Sequence, residues 1–186
     1  MPTCARDRLV EAAEELFYSE GIRAVGVERL LEVSGVGRAS FYRHFAGKDD
    51  LVVEIVRRSG ERWQAGMEDA VAARGGSPLA VFDALAERFE RPTFRGCSSI
   101  NAMVEVADPD SPAHKIAAAQ KETLTGYIQG LLVASGQRRS RARTLAEQFV
   151  LLVDGAIVTA MREPGPRPAR QAKAMAAALL DGAARR

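Results

Sequence analysis

Apolar positions recur at helical spacing along this chain, and few stretches alternate apolar with polar residues as a half-buried strand would. Residues 5–20, "ARDRLVEAAEELFYSE", set Leu9, Ala12, Ala13, Leu16 and Phe17 at i, i+3, i+4, i+7 and i+8, one stripe of an amphipathic helix that Gly21 stops. "VGVERLLEVSG" follows, with Gly26 as a weak N-cap, Val27, Leu30, Leu31 and Ser34 toward one side, and Gly35 at its end. A third helix, from about Gly37 to Phe45, begins after only "GV". Two short helices joined by a tight glycine turn form a helix-turn-helix arrangement.

Lys48, Asp49 and Asp50 then open a long helix to about residue 73, the two acids suiting its positive N-terminal end. Leu51, Ile55, Arg58, Arg62 and Met67 give that helix mixed faces, which fits a connector between two packing units. "RGGSP" closes it and caps "PLAVFDALAERFE"; a short helix is expected from about Gly96 to Val106, and another across "AHKIAAAQKETLTGYIQGLLVASG". Ser140 is placed to cap "RARTLAEQFVLLVDGAIVTAMRE", whose centre is apolar nearly all round, and "PGPRP" separates it from a last helix, "ARQAKAMAAALLDGAARR". The expectation is an all-α chain of about nine helices. These two terminal helices carry more small, apolar surface than one chain can hide, so pairing with a second copy as a four-helix interface competes with a core role inside the monomer.

Composition narrows the function classes. The 186 residues suit one compact domain, or a small domain fused to a larger one. With no apolar h-region at the N-terminus and no apolar run approaching the ~18 residues of a span, a soluble cytoplasmic protein without membrane contact is expected. Cys4 and Cys97 lie far apart, without CxxC spacing or clustered histidines, so neither a metal site, nor a cofactor, nor a disulfide framework is indicated. His44 and His114 have no nucleophile or metal partner by spacing, which argues against an enzyme with a helical active site.

The net charge of +2 is uninformative, and so is the balance over residues 1–60, where nine Lys/Arg face ten Asp/Glu. Distribution says more: residues 37–48 hold Arg38, Arg43, His44 and Lys48 with no acid among them. With Val36, Phe41 and Phe45 turned inward, Arg38, Ala39, Ser40, Tyr42, Arg43 and His44 remain on or near the exposed side. Arginine can bond guanine bidentately or hold phosphate, Ser40 can bond either, Ala39 can pack on a thymine methyl, and Tyr42 can donate to phosphate. Lys48 adds charge at the next helix start. Taken alone, the run fits a solvated basic helix with an aromatic core contact equally well.

The setting of the run decides between them. Residues 8–52, "RLVEAAEELFYSEGIRAVGVERLLEVSGVGRASFYRHFAGKDDLV", resemble the DNA-binding domain of TetR-family transcriptional regulators, through the "LF…G" end of the first helix, the "GV" turn, the "SFYRHF" recognition helix and the "KDDL" opening of the fourth. Gly26 departs from the usual Thr or Ser cap, and Glu28 stands where a basic or polar residue is common. The resemblance implies a DNA-binding domain over 1–47 and an effector-binding and dimerisation domain over 48–186, with helix 48–73 as connector. It further implies a homodimer on a near-palindromic operator in double-stranded DNA, released by a small-molecule effector and so acting as a repressor.

Cys97, Asn101 and Glu105 in "FRGCSSINAMVEVADPDSP" are spaced i, i+4 and i+8 along one helical face, which either lines the effector cavity or serves helix packing. Trp63, Phe82, Phe89, Phe94, Tyr127 and Phe149 are candidate pocket walls, each equally explained as core. A regulator switched by oxidation of Cys97 is the alternative to a small-molecule response.

Overall fold

Gly35 sets the geometry of the first three helices. At φ 63° it ends α2 (Val27–Ser34) in the left-handed region, and two residues later α3 (Arg38–His44) starts from an extended Gly37. The computed structural model describes residues 4–184, and among these there are nine helices and no strand. α1 (Ala5–Ser19) buries the predicted stripe of Leu9, Ala12, Ala13, Leu16 and Phe17, together with Val10, which lies at the edge of that stripe. Leu30, Val36, Phe41 and Phe45 close on it from α2, the turn and α3, with Val27 and Leu31 partly buried alongside.

α4 (Lys48–Ala72) supplies Leu51, Val52, Ile55 and Val56 to the same core. Its start is held by Asp50, whose Oδ2 accepts from the backbone N–H of Ala46 at 3.2 Å, an acid at the third position of the first turn reaching back over the helix end. Arg6 of α1 ties to α4 through Glu54 at 2.9 Å.

Among the described residues, those from 4 to 62 and 97–120 form one compact unit, and 63–96 with 121–184 form a second. α6 (Ser98–Val106) therefore packs with the N-terminal helices, where Ala102 joins their core beside Ala113 and Ala117 of α7 (Pro112–Ala134). A polar node fixes it there. Buried Ser99 donates to Gln120 Oε1 at 2.5 Å, Gln120 Nε2 donates to the Val56 carbonyl at 2.8 Å, and the Ser59 hydroxyl donates to that of Ser98 at 3.2 Å. Gly60 makes room for the node, because a methyl group there would collide with the Gln120 amide.

The second unit is built on α8 (Arg139–Arg162) lying along α9 (Arg167–Ala184), with α5 (Ala80–Phe89) against both. Phe82 and Phe149 meet at its centre with ring centroids 5.5 Å apart. Lys173 on α9 bonds both carboxylate oxygens of Asp83 on α5 at 2.7 Å, and Lys121 pairs with Asp154.

Helix starts differ from the sequence expectation in two places. Ser140 lies inside the first turn of α8 behind an uncapped Arg138, and α5 begins at Ala80, with Ser77 Oγ accepting from Leu79 N–H in the turn before it. Among the described residues α8 is also the one helix long and apolar enough to cross a membrane, by length and a mean hydropathy of 1.5 over eighteen residues. Single charged and polar positions hide this from inspection of apolar runs. Its apolar residues fall on two faces: Leu145, Phe149, Val153 and Ile157 inside, and Leu151, Val158 and Met161 on the exposed side.

Candidate nucleic-acid interface

α3 is too short to hold itself in place, so its anchors decide which side chains point outward. Phe41 is fully buried and Phe45 nearly so, their centroids 6.0 Å apart. The Arg6 guanidinium lies over the Phe45 ring at 5.5 Å, covering it from α1. At the turn, buried Ser34 accepts from the Val36 N–H at 3.3 Å, satisfying a group that the left-handed Gly35 would leave orphaned.

With these residues inside, Arg38, Ala39, Tyr42, Arg43 and His44 are exposed and Ser40 is half-buried. Tyr42 leaves half its surface open while its ring meets the edge of Phe41 at 5.1 Å, so the phenol is aimed by packing and its hydroxyl stays free of the core. Lys48 is half-buried, its Nζ 6.0 Å from the centre of the Phe17 ring. The geometry thus brings all seven residues expected from the sequence to contact DNA to one region of the first unit. Asp49 and Asp50 are exposed beside them, but Asp50 is committed to the α4 start.

One neighbour was not anticipated as a partner. Glu28 on α2 pairs with Arg38 at the start of α3, across the turn. The sequence signal available was the acid itself, where the family pattern favours a basic or polar residue; which cation it would meet depends on how the two helices cross.

The effector set divides between the two units. Trp63, Phe82, Phe89, Phe94, Tyr127 and Phe149 stand in the second, where Phe82 packs on Phe149, and Phe89 on Phe94 at 4.8 Å. Phe82, Phe89 and Phe149 are buried, whereas Trp63, Phe94 and Tyr127 are half-buried. Burial pushes the Tyr127 hydroxyl above its ordinary pKa, and the Glu68 carboxylate adds to the shift.

Cys97, Asn101 and Glu105 belong to the first unit. Cys97 is the N-cap residue of α6, half-buried and free. Glu105 near the other end holds the α1–α2 turn: its Oε2 accepts from Arg23 N–H at 2.9 Å, and Arg23 Nε donates to its carbonyl at 2.5 Å. Gly21, at φ 97°, lies so close that an added methyl group would stand 3.1 Å from the same carboxylate. Helical spacing identified Glu105 as facing something; a partner 82 residues away left no trace in the sequence.

Among the described residues no cluster of His, Cys, Asp and Glu could hold a metal ion. Comparison with known proteins agrees with the helix-turn-helix geometry. Residues 9–55 match the family of bacterial regulatory proteins of the tetR family, and residues 79–175 match the LmrA/YxaF-like transcriptional regulator C-terminal domain. An HTH-type transcriptional regulator of Mycobacterium tuberculosis is 30% identical over 83% of both chains. Another from Lactococcus lactis is 21% identical over 59% of each chain. Among solved structures, a TetR-family regulator from Streptomyces coelicolor superposes with a TM-score of 0.85 at 31% identity, covering 98% of this chain and 91% of that one. A second, from Streptomyces avermitilis, gives 0.73 at 27% identity over 97% and 98%. An exposed helix anchored behind a left-handed glycine turn, and matches that span both halves of the sequence, lead to one assignment: the chain belongs to the TetR family of helix-turn-helix DNA-binding transcriptional regulators.

Proposed function

We propose that this protein is a ligand-responsive repressor, binding a near-palindromic operator as a homodimer in the cytoplasm and leaving it when a small molecule binds. The observation that carries the reading is α3 itself, with Phe41 and Phe45 buried beneath it, Arg38, Ala39, Tyr42, Arg43 and His44 open above and Ser40 half-buried among them. A helix anchored on one side and polar on the other is suited to lie in the major groove, where Arg38 and Ser40 meet base edges while Tyr42, Arg43 and Lys48 hold phosphates.

Dimerisation rests on the outer faces of α8 and α9. Leu151, 73% exposed, and Val158, Met161 and Met175 leave apolar surface that a second copy would cover. For the effector, the half-buried Trp63, Phe94 and Tyr127 are the side chains able to touch a ligand, and the buried Phe82, Phe89 and Phe149 belong to the same unit, Phe89 packed on Phe94. On α6 of the first unit, Cys97 and Asn101 are candidates by themselves, while Glu105 serves the α1–α2 turn.

The test is a gel-shift titration on duplexes selected from a random pool. Tyr42→Ala and Lys48→Ala weaken binding on every sequence, on the order of tenfold, whereas Arg38→Ala and Ser40→Ala also change base preference. If none of the four alters affinity, α3 is not the reading helix. Wild-type affinity falls steeply with salt through counterion release. A thermal-shift screen identifies the effector as a compound that both raises Tm and releases DNA. Release by oxidant that survives in wild type but vanishes in Cys97→Ser would instead establish a thiol switch.

A further inference from the structure

The cations of residues 37–48 are not equivalent. Arg43 and His44 have no ion-pair partner among the described residues, and Lys48 sits over the Phe17 ring. Arg38 alone in the run is held by an acid, its Nη2 bonded to Glu28 Oε1. Glu28 in turn has no other ion-pair partner among the described residues; the next residue of α2, Arg29, is served by Glu20 at 3.5 Å and Glu32 at 3.0 Å. Both members of the pair are open to solvent, Arg38 by 57% and Glu28 by 74% of their side chains, so the contact adds little to stability. Its value must be sought elsewhere.

A phosphate clamp needs net positive charge, and an Arg–Glu pair has none. Placed against the backbone, the Glu28 carboxylate would be repelled by the phosphates that Arg43 and Lys48 attract. Directed at base edges, the same pair is an advantage. Guanidinium carries five N–H donors in a rigid fork; giving one of them to a carboxylate biases its orientation and leaves the remaining donors for a guanine O6 and N7. Fixing the fork before DNA arrives also reduces the side-chain entropy lost on binding.

We propose that Glu28 is a specificity-determining residue of this regulator, orienting Arg38 so that it reads one guanine of the operator. The proposal rests on α3 being the DNA-facing helix. It assigns Glu28 a positioning role through Arg38, with no contribution to general affinity for DNA.

The test uses the full chain and a duplex pool randomised over about 30 base pairs, enough for two half-sites a helical turn apart. Wild type, Glu28→Gln, Arg38→Ala and the double variant are each carried through selection and sequencing, then titrated against the enriched duplex and against single-base changes in it. Glu28→Gln keeps the wild-type Tm and enriches the same motif with one base position degraded. That position is the one lost in Arg38→Ala, and discrimination there falls on the order of tenfold while other positions keep theirs. The double variant loses no more than Arg38→Ala. Glu28→Gln retaining full preference at that base, or binding every duplex more tightly with an unchanged motif, overturns the proposal and leaves Glu28 a repulsive surface charge. Wild type enriching no sequence at all overturns the assignment of α3 itself, a result distinguishable from the other two.

Discussion

Phe41 and Tyr42 are neighbours in sequence with opposite surroundings, the first fully buried and the second half exposed. Removing each side chain should therefore separate stability from binding. Phe41→Ala leaves a cavity under α3 and costs about 3–5 kcal/mol, read as a lowered urea midpoint. Tyr42→Ala leaves that midpoint within about 0.5 kcal/mol of wild type, yet weakens binding to DNA. Glu54 supplies a second residue-scale expectation. Its burial pushes the carboxyl up, but hydrogen bonds from Arg57 and Arg6, together with their charges, outweigh that and hold the pKa below the ordinary value. A depressed folded pKa means the stabilisation is complete above the unfolded value of about 4.3 and is lost as pH falls through the folded one. Urea midpoints between pH 3 and 7 should show Glu54→Gln less stable than wild type at neutral pH and converging with it in acid.

At the scale of elements, the α2–α3 turn depends on one backbone conformation. Gly35 stands at φ 63° with open space where a side chain would go, so substitution there is opposed by backbone strain and not by crowding. Gly35→Ala should cost about 1 kcal/mol in a thermal or urea melt, and Gly35→Asn less, since asparagine tolerates the left-handed region. The start of α4 shows how much of an element can be read from local chemistry: "KDDL" announced a helix N-terminus, and Asp50 occupies the position from which it reaches back to Ala46. The starts of α5 and α8 were less legible. Ser77 and Ser140 are good capping residues by type, but the chain enters the helices through Leu79 and Arg138, neither of which makes a side-chain cap.

For the molecule as a whole, the exposed apolar residues of α8 and α9 determine the expected assembly. Leu151→Glu places a charge on the face that also carries Val158 and Met161, while leaving the buried side of α8 untouched. Light scattering after size exclusion should show the wild type as a dimer and this variant shifted toward monomer with its helical content retained. Operator affinity should fall with it, because a single recognition helix meets one half-site only. A variant that stays dimeric at micromolar concentration would place the interface elsewhere.

By itself the sequence determined the nine helical segments, the three-helix N-terminal arrangement and the outward set on α3. These follow from periodicity, glycine stops and the one-turn spacing of Phe41 and Phe45, all local properties of the chain. Tertiary structure alone decided the contacts between positions far apart in sequence. Arg23 with Glu105, Gln120 with Ser99 and the Val56 carbonyl, and Glu28 with Arg38 each depend on how one helix crosses another. The same reason explains why α6, following α5 in the chain, belongs to the unit of the N-terminal helices. Helical periodicity tells which side of a helix turns inward, but not which helix will meet it there.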